Sequence, residues 1–199
     1  MKRLSALVPV FLAVPAFADA PRQLDAHEHG VGQLNMALDG DTVVLELHAP
    51  GADIVGFEYA AKSAEDRAAI DAAVATLARP LELFLMPAAA ECSVVQASAE
   101  LEGADAHDAH EHHDHDGHDH AGHDDHDHAA ETEESGHSEF HAQYRLRCAN
   151  PDALSEITFA YFDTFENARK LDVQIVSPSG AVAAEVTHDA PELNLRGMF

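Results

Sequence analysis

Apolar and polar positions alternate along two neighbouring runs, Gly32 to Leu38 and Thr42 to His48, which Asp39-Gly40-Asp41 separates. The alternation predicts two strands, and the Asp-Gly pair predicts a tight hairpin turn between them. In the second run Val43, Leu45 and Leu47 share one side, while Val44, Glu46 and His48 share the other. A sheet packed on one face follows from that pattern. Further on, Ser63 and Asp66 have capping-box spacing, and apolar residues recur at helical intervals from Ala68 to Ala78 before Pro80. A helix is expected from about Ser63 to Ala78.

The second half of the chain repeats strand-like patterns. Leu81 to Met86 adds a turn before Pro87, and Cys92 to Leu101 reads as a strand of mixed burial. From His141 to Arg147, Tyr144 and Leu146 alternate with Gln143, Arg145 and Arg147, a strand expected to pair with the Cys92 strand. Pro151 to Leu154 reads as a short helix, Ile157 to Phe162 as a β-rich run and Thr164 to Ala168 as a helical turn. Leu171 to Val176 and Ala181 to Thr187 form a last hairpin about Ser177-Pro178-Ser179-Gly180. The predicted class is α+β, with a mostly antiparallel sheet covered by one main helix.

Length and charge sharpen this picture. A chain of 199 residues fits one domain. With 11 Lys plus Arg against 36 Asp plus Glu, the formal charge is −25, and no basic stripe is available to follow a phosphate backbone. Nucleic-acid binding is excluded on that ground. Met1-Lys2-Arg3, the apolar stretch Leu4 to Val14 and Ala16-Phe17-Ala18 have the form of an export signal, with cleavage expected after Ala18. Residues 1–18 are too short an apolar stretch to anchor the chain. Cleavage removes Lys2 and Arg3 and no acid, taking the charge from −25 to −27. The mature chain, residues 19–199, is expected to have no membrane span. In an oxidising compartment Cys92 and Cys148, the only cysteines, most simply form one disulfide. The rival thiolate metal site has no CxxC spacing to support it. Bridged Cα atoms lie within about 7 Å, so the bond favours the strand pairing and turns the segment between into an overgrown hairpin loop.

That segment carries the strongest chemical signal. Residues 103–136 contain His107, His110, His112, His113, His115, His118, His120, His123, His126 and His128 with twelve acidic residues, and no Leu, Ile, Val, Phe, Lys or Arg. Such a composition cannot build a core, so a long disordered His/Asp-rich hairpin insertion is expected. Imidazole nitrogen and carboxylate oxygen are ligands for zinc and its neighbours, and overlapping ligand sets favour capture and relay over storage. Nickel, cobalt and copper(II) accept the same ligands in vitro. Coordination requires neutral imidazole, so acid should release the ion.

Smaller clusters point to an ordered site. His27 and His29 are two residues apart, as are His137, Glu139 and His141. If the two segments adjoin, His27, His29, His137 and His141 supply a tetrahedral set, with Glu139 as an alternative or supporting ligand. His48 and His188 read as surface or hydrogen-bonded residues. No HExxH, GxSxG, Walker or GxGxxG motif is present, and an enzyme is not expected.

Several short motifs then act together: His27-Glu28-His29-Gly30, Ile54-Val55-Gly56-Phe57-Glu58, single cysteines on either side of a His-rich insert, His137-Ser138-Glu139-Phe140 and Leu171-Asp172-Val173-Gln174. In these the chain resembles the ZrgA-type zinc-regulated periplasmic proteins of Gram-negative bacteria, implicated in zinc uptake. The resemblance implies a small folded zinc-binding domain, a metal-binding insert, a periplasmic location, and partners among zinc-uptake components such as the substrate-binding protein of a zinc ABC transporter. Where the family continues Gly-Phe-Glu-His, this chain has Tyr59, so a family ligand there is missing, and Glu58 is read as structural. Two other functions fit the composition: a buffer for excess zinc, nickel or copper, and an interaction module whose acidic tract docks a basic partner.

Overall fold

The computed structural model describes residues 28–103 and 137–198. The expected signal segment, His27 and the ten histidines from His107 to His128 lie outside the described residues.

The predicted hairpin forms β1 (Val31–Asp39) and β2 (Thr42–Pro50), with Asp39 facing Thr42 across the two-residue turn. A single turn, α1 (Gly51–Ile54), follows, and then α2 (Ala64–Leu77). Ser63 caps α2 in the expected manner: its hydroxyl accepts from the Asp66 amide at 2.9 Å, and the Asp66 carboxylate accepts from the Ser63 amide at 3.2 Å. Next come the turn α3 (Pro80–Leu83), the short β3 (Phe84–Leu85) and the long β4 (Cys92–Glu102). After the insert lie β5 (Glu139–Cys148), β6 (Glu156–Phe159), the turn α4 (Tyr161–Thr164), β7 (Lys170–Ser177), β8 (Gly180–Thr187) and β9 (Glu192–Asn194).

Six strands form one sheet in the order β4-β5-β2-β1-β7-β8, and β3, β6 and β9 form a second. Within these sheets every pairing is antiparallel except β1 with β7. Period-two alternation puts Leu34 and Met36, Leu45 and Leu47, Tyr144 and Leu146, and Val173 and Ile175 on one buried face. The opposite face carries Glu46, His48, His141 and Gln143.

The prediction of one main helix covering the sheet holds only in part. Helix α2 is the single long helix among the described residues, yet Ala73 and Leu77 are its only buried positions. Alanine offers little area to bury, so the helix covers little of the sheet. The cover comes instead from aromatic residues of the second layer. The Phe84 ring lies 6.0 Å from Tyr144 of the large sheet and 5.5 Å from Phe159, and Tyr161, Phe162 and Phe165 extend the same core.

The helical turn expected at Thr164 to Ala168 instead occupies Tyr161–Thr164, and the β-rich run ends at Phe159. Tyr161 and Phe162 are adjacent and both fully buried. A strand would send neighbouring side chains to opposite faces, whereas a turn lets both enter one core.

The expected disulfide joins Cys92 to Cys148, which are register partners in β4 and β5. No free cysteine remains among the described residues, so the thiolate metal site is excluded there. Reduction, or the C92S/C148S variant, frees a loop spanning 56 positions. Denaturant titration of the metal-free protein should show a loss of as much as about 4 kcal/mol, with the far-ultraviolet dichroism of the folded baseline retained.

Candidate metal centre

The pairing of β4, β5 and β2 positions the chemistry. Glu102 faces Glu139, and His141 faces His48, so the two ends of the insert leave the sheet side by side. One ordered set of His27, His29, His137 and His141 is expected from the sequence. His27 lies outside the described residues, and among those described the candidate ligands fall into two groups, His29 with Glu58 and His137, and His48 with Glu139 and His141. In each group one ligand atom per residue lies within 4.8 Å of the others. The two-residue spacing of His137, Glu139 and His141 does not keep them together, because His137 precedes β5 whereas Glu139 and His141 are within it.

The first group sits on loops at the rim. His29 Nε2 is 3.1 Å from Glu58 Oε1, and His137 Nδ1 is 2.8 Å from Glu58 Oε2. The carboxylate thus uses both oxygens on two imidazoles. Both rings are more than half exposed, while Glu58 is 11% exposed.

Three backbone features bring these loops together. The Gly30 amide donates to Asp53 Oδ1 at 2.7 Å, and the Gly30 carbonyl accepts from the Arg169 and Lys170 amides. At φ 87° this turn is left-handed, and a Cβ would meet the Arg169 side chain at 3.1 Å, so glycine suits the position next to His29. Gly51 donates its amide to the Ser138 carbonyl at 2.8 Å, and a Cβ on it would run into Ser138 Oγ and the Phe57 carbonyl. That close approach presses the start of α1 against the residue following His137. Phe57 and Tyr59, on either side of Glu58, stack with ring centroids 4.7 Å apart.

The second group lies on the strands. His141 Nε2 meets Glu139 Oε2 at 2.6 Å, and His48 Nδ1 is 3.7 Å from the same oxygen. The two imidazoles meet edge to face with centroids 4.2 Å apart. Glu46 lies 3.6 Å from His48 Nε2, and Glu102 lies 3.7 Å from His141 Nδ1. Acid and imidazole therefore alternate from Glu102 through His141, Glu139 and His48 to Glu46, across three neighbouring strands. The Glu139 hydrogen bond raises the His141 pKa above its ordinary value against a partial desolvation, with charge from Glu139, Glu102 and Glu100 adding to it.

Glu58 and His48 are not among the ligands expected from the sequence. For His48 a signal existed, since the alternation in β2 puts it on the polar face with Glu46. For Glu58 the signal was only the Gly56-Phe57-Glu58 motif, read as structural, because its neighbours His29 and His137 are distant in the chain. His188 joins neither group and lies against Phe162, centroids 6.2 Å apart.

The fold and these two His/Glu groups define a sheet protein with the ligand chemistry of divalent transition ions. The chain belongs to the ZrgA family of zinc uptake proteins, whose family profile matches residues 26–195. Among curated proteins none matches the chain.

Two outcomes follow from this geometry. Asp53→Ala leaves the buried Gly30 amide without its carboxylate acceptor, and it should destabilise the fold by about 1–3 kcal/mol in denaturant titration. The His141 imidazole of the metal-free protein should titrate above about pH 6.5 by NMR, and Glu139→Gln should lower that midpoint. Because the folded-state value is raised, the stabilisation is fully present below about pH 6.5 and is lost as pH rises through the folded value. Glu139→Gln should therefore cost more stability at pH 5.5 than at pH 8.5.

Proposed function

We propose that the protein is an exported, periplasmic zinc-binding protein. It captures zinc ions with the histidines His107 to His128 and passes them to the rim group of His29, Glu58 and His137, from which a component of a zinc uptake system takes them. One observation carries this reading: His137 is both a member of the rim group and the residue that follows the His/Asp-rich segment. The chain itself thus joins the histidine-rich segment to the rim group. Membership in a zinc uptake family supports zinc as the cargo.

The rim chemistry suits a relay. Two borderline imidazoles and one hard carboxylate form a set that zinc accepts, and three protein ligands leave a coordination position open for exchange. Two exposed rings give an incoming ligand access. The formal charge of −25 draws cations toward the surface. Among the described residues no helix is long and apolar enough to cross a membrane. A transporter's substrate-binding protein is the partner this reading puts forward. The protein acts as a carrier and performs no catalysis in this reading.

Zinc titration tests the assignment. Since Glu102 and Glu139 are register partners, a short turn can replace residues 104–136 without altering the sheet. That deletion should remove most of the zinc stoichiometry and keep the fold, whereas Glu58→Gln in the full chain should remove one tightly held ion. An unchanged titration in both variants would refute the reading. Affinity should fall as pH drops through about 6.5, because protons compete for imidazole. Induction under zinc starvation supports uptake; induction under zinc excess supports buffering instead.

A further inference from the structure

We infer that the outer face of the large sheet holds a second, separate site for a zinc-class divalent cation, with His48, Glu139 and His141 as ligands and Glu46 and Glu102 orienting the two rings. It does not depend on the uptake reading, and it would stand equally in a buffering protein. Glu139 Oε2 is 2.6 Å from His141 Nε2 and 3.7 Å from His48 Nδ1, so one nitrogen of each ring already converges on one carboxylate. An ion entering between these atoms replaces the Glu139 to His141 hydrogen bond with coordination to all three residues.

The outer nitrogens decide what kind of site this is. Ligating histidines usually donate their remaining N–H to a carboxylate, carbonyl or water, which fixes the tautomer and turns the ring toward the metal. Here Glu102 faces His141 Nδ1 at 3.7 Å and Glu46 faces His48 Nε2 at 3.6 Å, distances that a small side-chain movement closes to a hydrogen bond. Each ring therefore has one nitrogen for the ion and one for a supporting acid. The arrangement does not arise from a loose acidic surface, because the two histidines are direct partners in a hydrogen-bonded ladder. Ligands on strands are held more closely than ligands on loops, which separates this site from the rim group.

The ligand set also selects the ion. Two imidazoles with one carboxylate suit zinc or cobalt, whereas calcium requires six to eight oxygen ligands and magnesium keeps an octahedral oxygen shell. Three protein ligands leave the fourth tetrahedral position open, as in sites that exchange their ligand, unlike closed structural sites.

The test uses the full-length chain with ¹⁵N-labelled histidine, loaded with zinc and challenged with a chelator of known affinity. On loading, His48 Nδ1 and His141 Nε2 should shift to metal-bound positions, and a retained ion should be lost in His48→Gln and in His141→Gln but kept in Glu58→Gln. Glu46→Gln and Glu102→Gln leave the ligands in place; each should keep the ion count and weaken its affinity by about 10–100-fold. Unshifted His48 and His141 signals, with an unchanged count in both histidine variants, overturn the site. Loss of the same ion in Glu58→Gln also overturns it, because the two groups would then be one centre. If Glu58→Gln changes nothing while His48→Gln removes an ion, the second site stands and the rim relay fails.

Discussion

The register of β5 between β4 and β2 is the constraint on which the rest depends. It faces Cys148 with Cys92 and Glu139 with Glu102 in the ladder to β4, and His141 with His48 in the ladder to β2. A slip of one residue would turn Glu139 and His141 into the core and bring Phe140, Ala142 and Tyr144 into water. The apolar face forbids that slip, since Phe140, Ala142, Tyr144 and Leu146 are all buried. The hydrophobic side of the strand thus positions the ligand side, and the disulfide locks the far end of the same pair of strands.

The two His/Glu groups use this scaffold differently. At the rim, separate loops contribute each residue, and backbone contacts hold them together: the Gly30 amide on Asp53 and the Gly51 amide on Ser138. Its rings are exposed, and one carboxylate serves both. On the strands, the side chains inherit their spacing from the ladder, and carboxylates lie on both sides of each ring. The first arrangement favours access; the second favours fixed geometry. Both adjoin the stem of the insert, because His137 and Glu139 are two residues apart at the start of β5.

Membership in the ZrgA family fits a chain that spends 34 residues on a His/Asp-rich segment without Leu, Ile, Val or Phe and gathers two His/Glu groups at that segment's base. A hairpin loop closes at a cost that grows slowly with length, so the sheet accommodates it as long as the register at Glu102 and Glu139 holds.

Local patterns made much of the fold legible. The alternation around Asp39-Gly40-Asp41 specified the first hairpin, Ser63 and Asp66 marked the start of α2, and Cys92 and Cys148 indicated the pairing of β4 with β5. Each of these signals arises from residues close in sequence or from a covalent bond. The covering layer was less legible: an alanine stripe has the period of a covering helix but not its volume, and the adjacent aromatics Tyr161 and Phe162 needed a turn in place of a strand. The parallel pairing of β1 with β7 left no local trace either. For the sites, the sequence by itself determined the donor atoms on offer, imidazole nitrogen and carboxylate oxygen. Only the tertiary structure decided the grouping, sending His29 and His137 to Glu58 and leaving His48 to share Glu139 with His141. The physical reason is that coordination acts across a few ångströms of space, and the contacts that bring 29, 58 and 137 together are long-range ones that no short window of sequence contains.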